Sequence, residues 1–239
     1  MKDRRLSLVE HLEELRRRLV VCLASVFLFS LASYFYAGKI LSLLIKPVGK
    51  LVFIKPQEAF LSYLKIALFS GIFLSLPVIF YQIWKFVFVG LLPKEKKYIF
   101  TYGPISFFLF LVGAGFSYQV VLPLSLKFLV DRFSSNTLES MLSISNYISF
   151  VGTFLLAFGV VFELPLIVLF LTKIGLVSPQ TLRRKRREVI VGIFILAALM
   201  TPPDAFTQFL LAIPLLFLYE VSLWTAVLVH KKKKESFTS

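Results

Sequence analysis

Six apolar runs, at about 19–37, 60–92, 98–122, 147–172, 189–200 and 205–229, constrain this chain more than any other feature. A bilayer core of about 30 Å takes roughly 20 apolar residues of helix at about 1.5 Å rise per residue. Four of the runs exceed that length, and the first, with 19 residues, just reaches it. The fifth is short: Val189–Met200 supplies 12 residues before Thr201-Pro202-Pro203 stops the helix. Ser178 followed by Pro179 fits an N-cap with a first-turn proline. The spacing therefore predicts one helix from about 179 to 200, its first turns carrying the basic collar Arg183–Arg187 outside the bilayer. The first run lacks a small-x-small cleavage site and follows a charged stretch, so it reads as a span and not as a cleaved signal peptide.

Composition narrows the function classes. The chain is 58% hydrophobic and only 17% charged, against about 25% charged for an ordinary soluble domain, which excludes a soluble enzyme. The net charge of +14, from 27 Lys and Arg against 13 Asp and Glu, would by itself permit nucleic-acid binding. Position argues for a membrane and against nucleic acid, because the basic residues cluster at the ends of the apolar runs. With six spans, one side collects Lys2, Arg4, Arg5, Arg16–Arg18, Lys94, Lys96, Lys97, Arg183–Arg187 and Lys231–Lys234. The other receives Lys39, Lys46, Lys50 and Lys55 in its first loop and Lys127 and Arg132 in its second. The positive-inside bias then places both termini, and the loops near 90–98 and 173–188, in the cytoplasm. The expected fold is an all-α membrane protein: a single domain, 1–239, of six transmembrane helices in an open bundle kinked at Pro77, Pro165 and Pro214.

Residues 7–18 are a different kind of element. Ser7-Leu8-Val9-Glu10 fits a capping box. Leu8, Leu12, Leu15 and Leu19 follow at helical spacing with charges between them, the pattern of an interfacial amphipathic helix running into the first span. Glu13/Arg17 and Glu14/Arg18 are spaced i,i+4 and can simply pair; the other reading offers one of these carboxylates to a cationic ligand at the membrane surface. The loops 38–59 and 123–146 carry apolar stretches at Ile40–Ile45 and from Leu124 to Phe133, and read as partly helical caps.

Few groups are available for chemistry. Cys22 is the sole cysteine, which excludes an intrachain disulfide, and His11 and His230 lie near opposite ends of the chain. No metal set or catalytic triad falls within the spans, so neither an enzyme nor a resident cofactor is expected. Lys65 and Lys85 lie near the ends of the second run, where long side chains snorkel to the interface. Glu163 falls within the fourth run, in Gly159-Val-Val-Phe-Glu163-Leu-Pro165. A carboxylate at that depth costs several kcal/mol unless it is neutralised, paired or facing water. Pro165 frees the carbonyl of Val161 one turn away, which could satisfy a protonated Glu163; the alternative is a polar, functional concavity. Glu220, Gln82, Gln119 and Gln208 add polar groups to the spans, and Asp204 fits the N-cap of the last helix.

Five strings, taken in order, identify a family. They are His11-Leu-Glu-Glu14-Leu-Arg16; Pro77-Val-Ile-Phe-Tyr81-Gln82-Ile-Trp84-Lys-Phe86; Phe116-Ser-Tyr118 with Pro123; Ile144-Ser-Asn-Tyr147 through Phe158-Gly159 to Glu163-Leu-Pro165; and Thr201-Pro-Pro-Asp204-Ala-Phe-Thr-Gln208 through Pro214 and Glu220. Together they closely resemble the TatC family, the multispan subunit of the twin-arginine protein translocase. The resemblance implies six spans in the cytoplasmic membrane with both ends on the cytoplasmic side. It also implies a receptor that reads the paired arginines of signal peptides on folded secretory proteins, in an oligomeric complex with small single-span TatA-type and TatB-type partners. Transport in that family is driven by the proton-motive force.

The resemblance assigns signal-peptide binding to Glu14 and Glu95 together with Arg16 and Phe86, an intramembrane role to Glu163, and a structural or functional role in the loops to Pro47 and Asp204. Two arginines require two acceptors, and a carboxylate accepts the guanidinium fork bidentately. The chain departs from the family at Val89, where a proline is usual, at Lys96 and Lys97, where arginines are usual, and at Thr207. Glu95, among Lys94, Lys96 and Lys97, also has a plain neutralising role open to it. The short fifth span and the depth of Glu163 suggest that a signal peptide anchored near Glu14 and Glu95 directs its apolar part toward Glu163. A reading from another class is a proton-coupled small-solute transporter built on Glu163.

Overall fold

One helix, α1 (Leu8–Tyr34), joins the amphipathic segment to the first apolar run without a break. The computed structural model describes residues 8–46, 48, 51–91, 96, 99–133, 142–200 and 205–238. Pro47, Glu95, Asp204 and Ser7, the N-cap expected from the sequence, lie outside the described residues. The helices that follow are α2 (Ala37–Ile45), α3 (Pro56–Gly90), α4 (Ile99–Phe116), α5 (Leu122–Phe133), α6 (Ile144–Phe162), α7 (Leu164–Ile174), α8 (Pro179–Arg184), α9 (Arg186–Met200) and α10 (Ala205–Thr238). Five residues of π-helix, Ser117–Val121, carry α4 into α5. The protein is an all-α membrane protein; among the described residues the single β feature is an isolated parallel bridge between Val52 and Ser143.

Among the described residues, four helical stretches are long and apolar enough to cross a bilayer: Pro56–Gly90, Thr101–Phe128, Ile144–Ile174 and Ala205–Val229. The pair α1 and α2, bent by 81° between them, makes a fifth if taken as one broken span. The helix expected over 179–200 is divided. Ser178 caps it as expected, its Oγ accepting the N–H of Thr181 at 3.1 Å, but the backbone leaves the helical region at Lys185 (φ −88°, ψ 7°). Five consecutive cations disfavour a continuous helix, because like charges at i,i+4 such as Arg183 and Arg187 repel. What remains, α9, has 15 residues.

The chain forms two compact units: residues 1–107 with 141–152, and residues 108–140 with 153–239. In the first, α1 packs antiparallel along α3. His11 meets Phe86, Arg18 meets Gln82, and Ser30 meets Gly71, in opposite order along the two helices. At Gly71 the helices are so close that a Cβ would stand 2.6 Å from the backbone nitrogen of Ser30, the close approach that small residues permit between helices in lipid. Near the N-terminus of α3, Glu58 ties three segments together. Its carboxylate accepts the N–H of Ile54 at 2.8 Å, the Ser143 hydroxyl, and the N–H of Ser145 at 3.4 Å. Alongside it, Val52 exchanges backbone hydrogen bonds with Leu142 (3.1 Å) and Ile144 (3.0 Å). Lys65, expected to snorkel, instead donates to the hydroxyls of Ser145 and Ser149 on α6, both at 2.7 Å.

In the second unit, α10 packs against α7, α8 and α9. Arg186 and Glu220 form an ion pair at 2.5 Å, and the Tyr219 hydroxyl donates to the carbonyl of Leu182 at 2.7 Å. These contacts fix the basic collar to the last helix. α7 ends at Gly175 in the left-handed region (φ 85°), its N–H turned back to the carbonyls of Leu171 and Thr172, a termination that favours glycine.

Candidate functional site

Three side chains of α1 recur at helical spacing, His11, Glu14 and Arg18, and two of α3, Gln82 and Phe86, stand opposite them. Arg18 is buried, 8% exposed. Its guanidinium donates through Nη1 to Oε1 of Gln82 at 3.1 Å and through Nη2 to Oε1 of Glu14. The His11 ring stacks on the Phe86 ring, with centroids 4.5 Å apart and planes 24° apart. Glu14 thus stands on a helix wall with one oxygen engaged and its side chain still 32% exposed. A carboxylate has about four lone-pair sites, so the pairing with Arg18 leaves capacity for a second donor.

The i,i+4 pair Glu14/Arg18 expected from spacing is present, and it coexists with an accessible carboxylate. Of the residues singled out in the sequence, Glu14 and Phe86 come into one neighbourhood, on the facing sides of α1 and α3. Arg16 is exposed on α1. Glu95, Pro47 and Asp204 lie outside the described residues. Sequence reasoning gave Arg18 and Gln82 no joint role. The available signal was the i,i+4 spacing of Gln82 and Phe86, which puts a polar group and an aromatic on one face of a span.

Glu163 belongs to the second unit. It is 7% exposed and stands at the break between α6 and α7, as its proximity to Pro165 predicts. Its N–H bonds the carbonyl of Val160 at 3.1 Å, and its own carbonyl accepts from Ile167 at 2.9 Å. The carboxylate therefore enters the span at the N-terminus of α7, the end of a helix that favours negative charge. Among the described residues no cluster of three or more His, Cys, Asp or Glu side chains is arranged to hold a metal ion.

Comparison with known proteins agrees with this architecture. The model of the Sec-independent protein translocase protein family (TatC) matches residues 10–214. A relative from Carboxydothermus hydrogenoformans, a Sec-independent protein translocase protein TatC, is 40% identical over 238 residues, covering 98% of each chain. The TatCd protein of Bacillus subtilis is 38% identical over 240 residues, covering 100% of this chain and 99% of that one. A crystal structure of a twin-arginine translocase receptor, TatC, matches with a TM-score of 0.85 at 36% identity, over 92% of this chain and 99% of the other. With the helical order, the α1–α3 pairing and relatives matched along almost their whole length, this chain belongs to the TatC family of Sec-independent protein translocase proteins.

Proposed function

We propose that this protein is the signal-peptide receptor and core membrane subunit of a twin-arginine translocase, exporting folded proteins across the cytoplasmic membrane at the expense of the proton-motive force. The observation that carries the reading is Glu14, a carboxylate held by Arg18, which is itself held by Gln82, yet partly open at the N-terminal end of α1. The charge bias of the sequence puts that end at the cytoplasmic face of six spans, with both termini inside. An incoming guanidinium docks on the open oxygen of Glu14, and Glu95 supplies the second acceptor that a pair of arginines requires. Phe86 borders the site from α3, Arg16 adds a signal-peptide contact from the exposed side of α1, and Pro47 and Asp204 serve in the connecting segments. Glu163 acts in the later transmembrane step, for which TatA-type and TatB-type subunits assemble with this chain. Membership of a translocase family favours this reading over the solute transporter.

The test is binding of a labelled twin-arginine signal peptide to the purified protein in nanodiscs, against the same peptide with Lys-Lys. Arginine offers a bidentate fork and lysine a point charge, so the Arg-Arg peptide binds more tightly, and Glu14→Ala with Glu95→Ala abolishes the difference. Equal binding of the two peptides would reduce the acidic pair to general electrostatics and remove the receptor assignment.

A further inference from the structure

The face of α3 turned away from Gln82 and Phe86 borders an apolar cavity of about 540 Å³, within the roughly 300–1,000 Å³ of small-ligand sites. Phe80, Tyr81, Trp84 and Phe88 line it from α3 at three- and four-residue intervals, and Pro104 and Phe107 close it from α4. Trp84 is buried and its indole N–H is fixed on the Ser106 hydroxyl at 3.0 Å, so this wall is rigid. Two cations stand on rings of the same wall. The Lys85 ammonium lies 5.5 Å from the Tyr81 ring centroid, and Lys96 lies 4.7 Å from that of Phe88. Neither lysine has a carboxylate within ion-pair distance among the described residues.

We propose that this cavity is a binding site for an anionic glycerophospholipid, with an acyl chain in the α3–α4 cavity and the phosphate on Lys85 and Lys96. Charge complementarity selects the occupant: an apolar pocket alone suits any lipid tail, whereas two ammonium groups at its rim select a negative headgroup. The surrounding Tyr81 and Trp84 are the residue types that sit at headgroup depth. The site requires only that α3 spans the bilayer, and it occupies a different face of α3 from the Glu14 neighbourhood, so it stands or falls independently of the receptor reading.

The chain has two tryptophans, Trp84 and Trp224, so a Trp224→Phe background leaves Trp84 as a reporter inside the cavity. That protein is placed in phosphatidylcholine nanodiscs doped with brominated phosphatidylglycerol or, separately, brominated phosphatidylcholine. Brominated phosphatidylglycerol is expected to quench Trp84 at the lower mole fraction, by about fivefold for each lysine engaged, the factor typical of a basic residue at an anionic surface. Lys85→Gln with Lys96→Gln removes the preference, and Lys85→Arg with Lys96→Arg retains it. Equal quenching by the two lipids, with no variant needed, overturns the proposal. So does a Trp84 that neither lipid quenches but a brominated apolar peptide does, which would give the cavity to a peptide.

Discussion

Arg18 and Gln82 meet across the α1–α3 contact through a 3.1 Å hydrogen bond, and the same guanidinium holds Glu14. The position of the candidate receptor carboxylate therefore depends on a glutamine 64 residues away in sequence. Replacing Gln82 by leucine leaves a buried cation short of an acceptor, which costs about 1.5–3 kcal/mol for a hydrogen bond to a charged group. Gln82→Leu is expected to lower the thermal unfolding midpoint in detergent, and Gln82→Glu, which keeps an acceptor, to lower it less. A cycle with Glu14→Gln should be non-additive by about 0.5–3 kcal/mol, as for members of one network. Strict additivity would separate Gln82 from Glu14.

Gly71 and Gly192 should respond to alanine with opposite signs. A Cβ at Gly71 would meet Ser30 backbone at 2.6 Å, so α1 and α3 must separate; overpacking of that kind costs about 1–3 kcal/mol. At Gly192, inside α9, nothing lies within 4 Å of the added carbon. There the helix propensity of alanine should raise stability by about 0.8–1.0 kcal/mol. Unfolding midpoints of the two single variants decide the matter.

Glu58 serves two helix N-termini at once, through Ile54 before α3 and Ser143 and Ser145 at the start of α6. Glu58→Ala removes all of these acceptors and is expected to lower the unfolding midpoint and to expose the segment before α3 to protease. Glu58→Gln keeps an acceptor oxygen and should fall between alanine and the parent. Limited proteolysis with mass spectrometry of the cut sites reads the difference.

Local features of this architecture were legible in the sequence, and distant pairings were not. The four longest of the six apolar runs located helices long and apolar enough to span, Pro165 located the break at Glu163, and Ser178-Pro179 located the start of α8. Each of these depends on neighbours within a turn or two. The Glu14/Arg18 pair was readable for the same reason, since i,i+4 spacing fixes it within one helix. Lys65 shows the limit: its acceptors, Ser145 and Ser149, lie 80 and 84 residues away, and nothing in the periodicity of the second run indicates them. Gln82 hides its partner in the same way. The 81° bend after Tyr34 carries no proline, and the π-helical turn Ser117–Val121 reads as ordinary apolar helix. Within the candidate site, residue types were readable and their pairing across helices was not.

Glu163 supplies the sharpest separation between fold and function. Glutamine in its place has almost the same volume, keeps hydrogen-bonding atoms and cannot ionise. Glu163→Gln should therefore change stability by no more than about 1.5 kcal/mol, the scale of one hydrogen bond. Signal-peptide affinity should be unchanged, because the Glu14 neighbourhood lies in the other compact unit. Transport of a folded substrate into energised membrane vesicles should fall sharply, since an ionisable group inside a span is costly to keep and marks a functional path. The three measurements, unfolding midpoint, peptide binding and vesicle transport, are made on one variant. Transport at the parent rate would make Glu163 a structural residue of the α6–α7 break, and loss of all three would mean that the negative charge at the N-terminus of α7 holds the unit together.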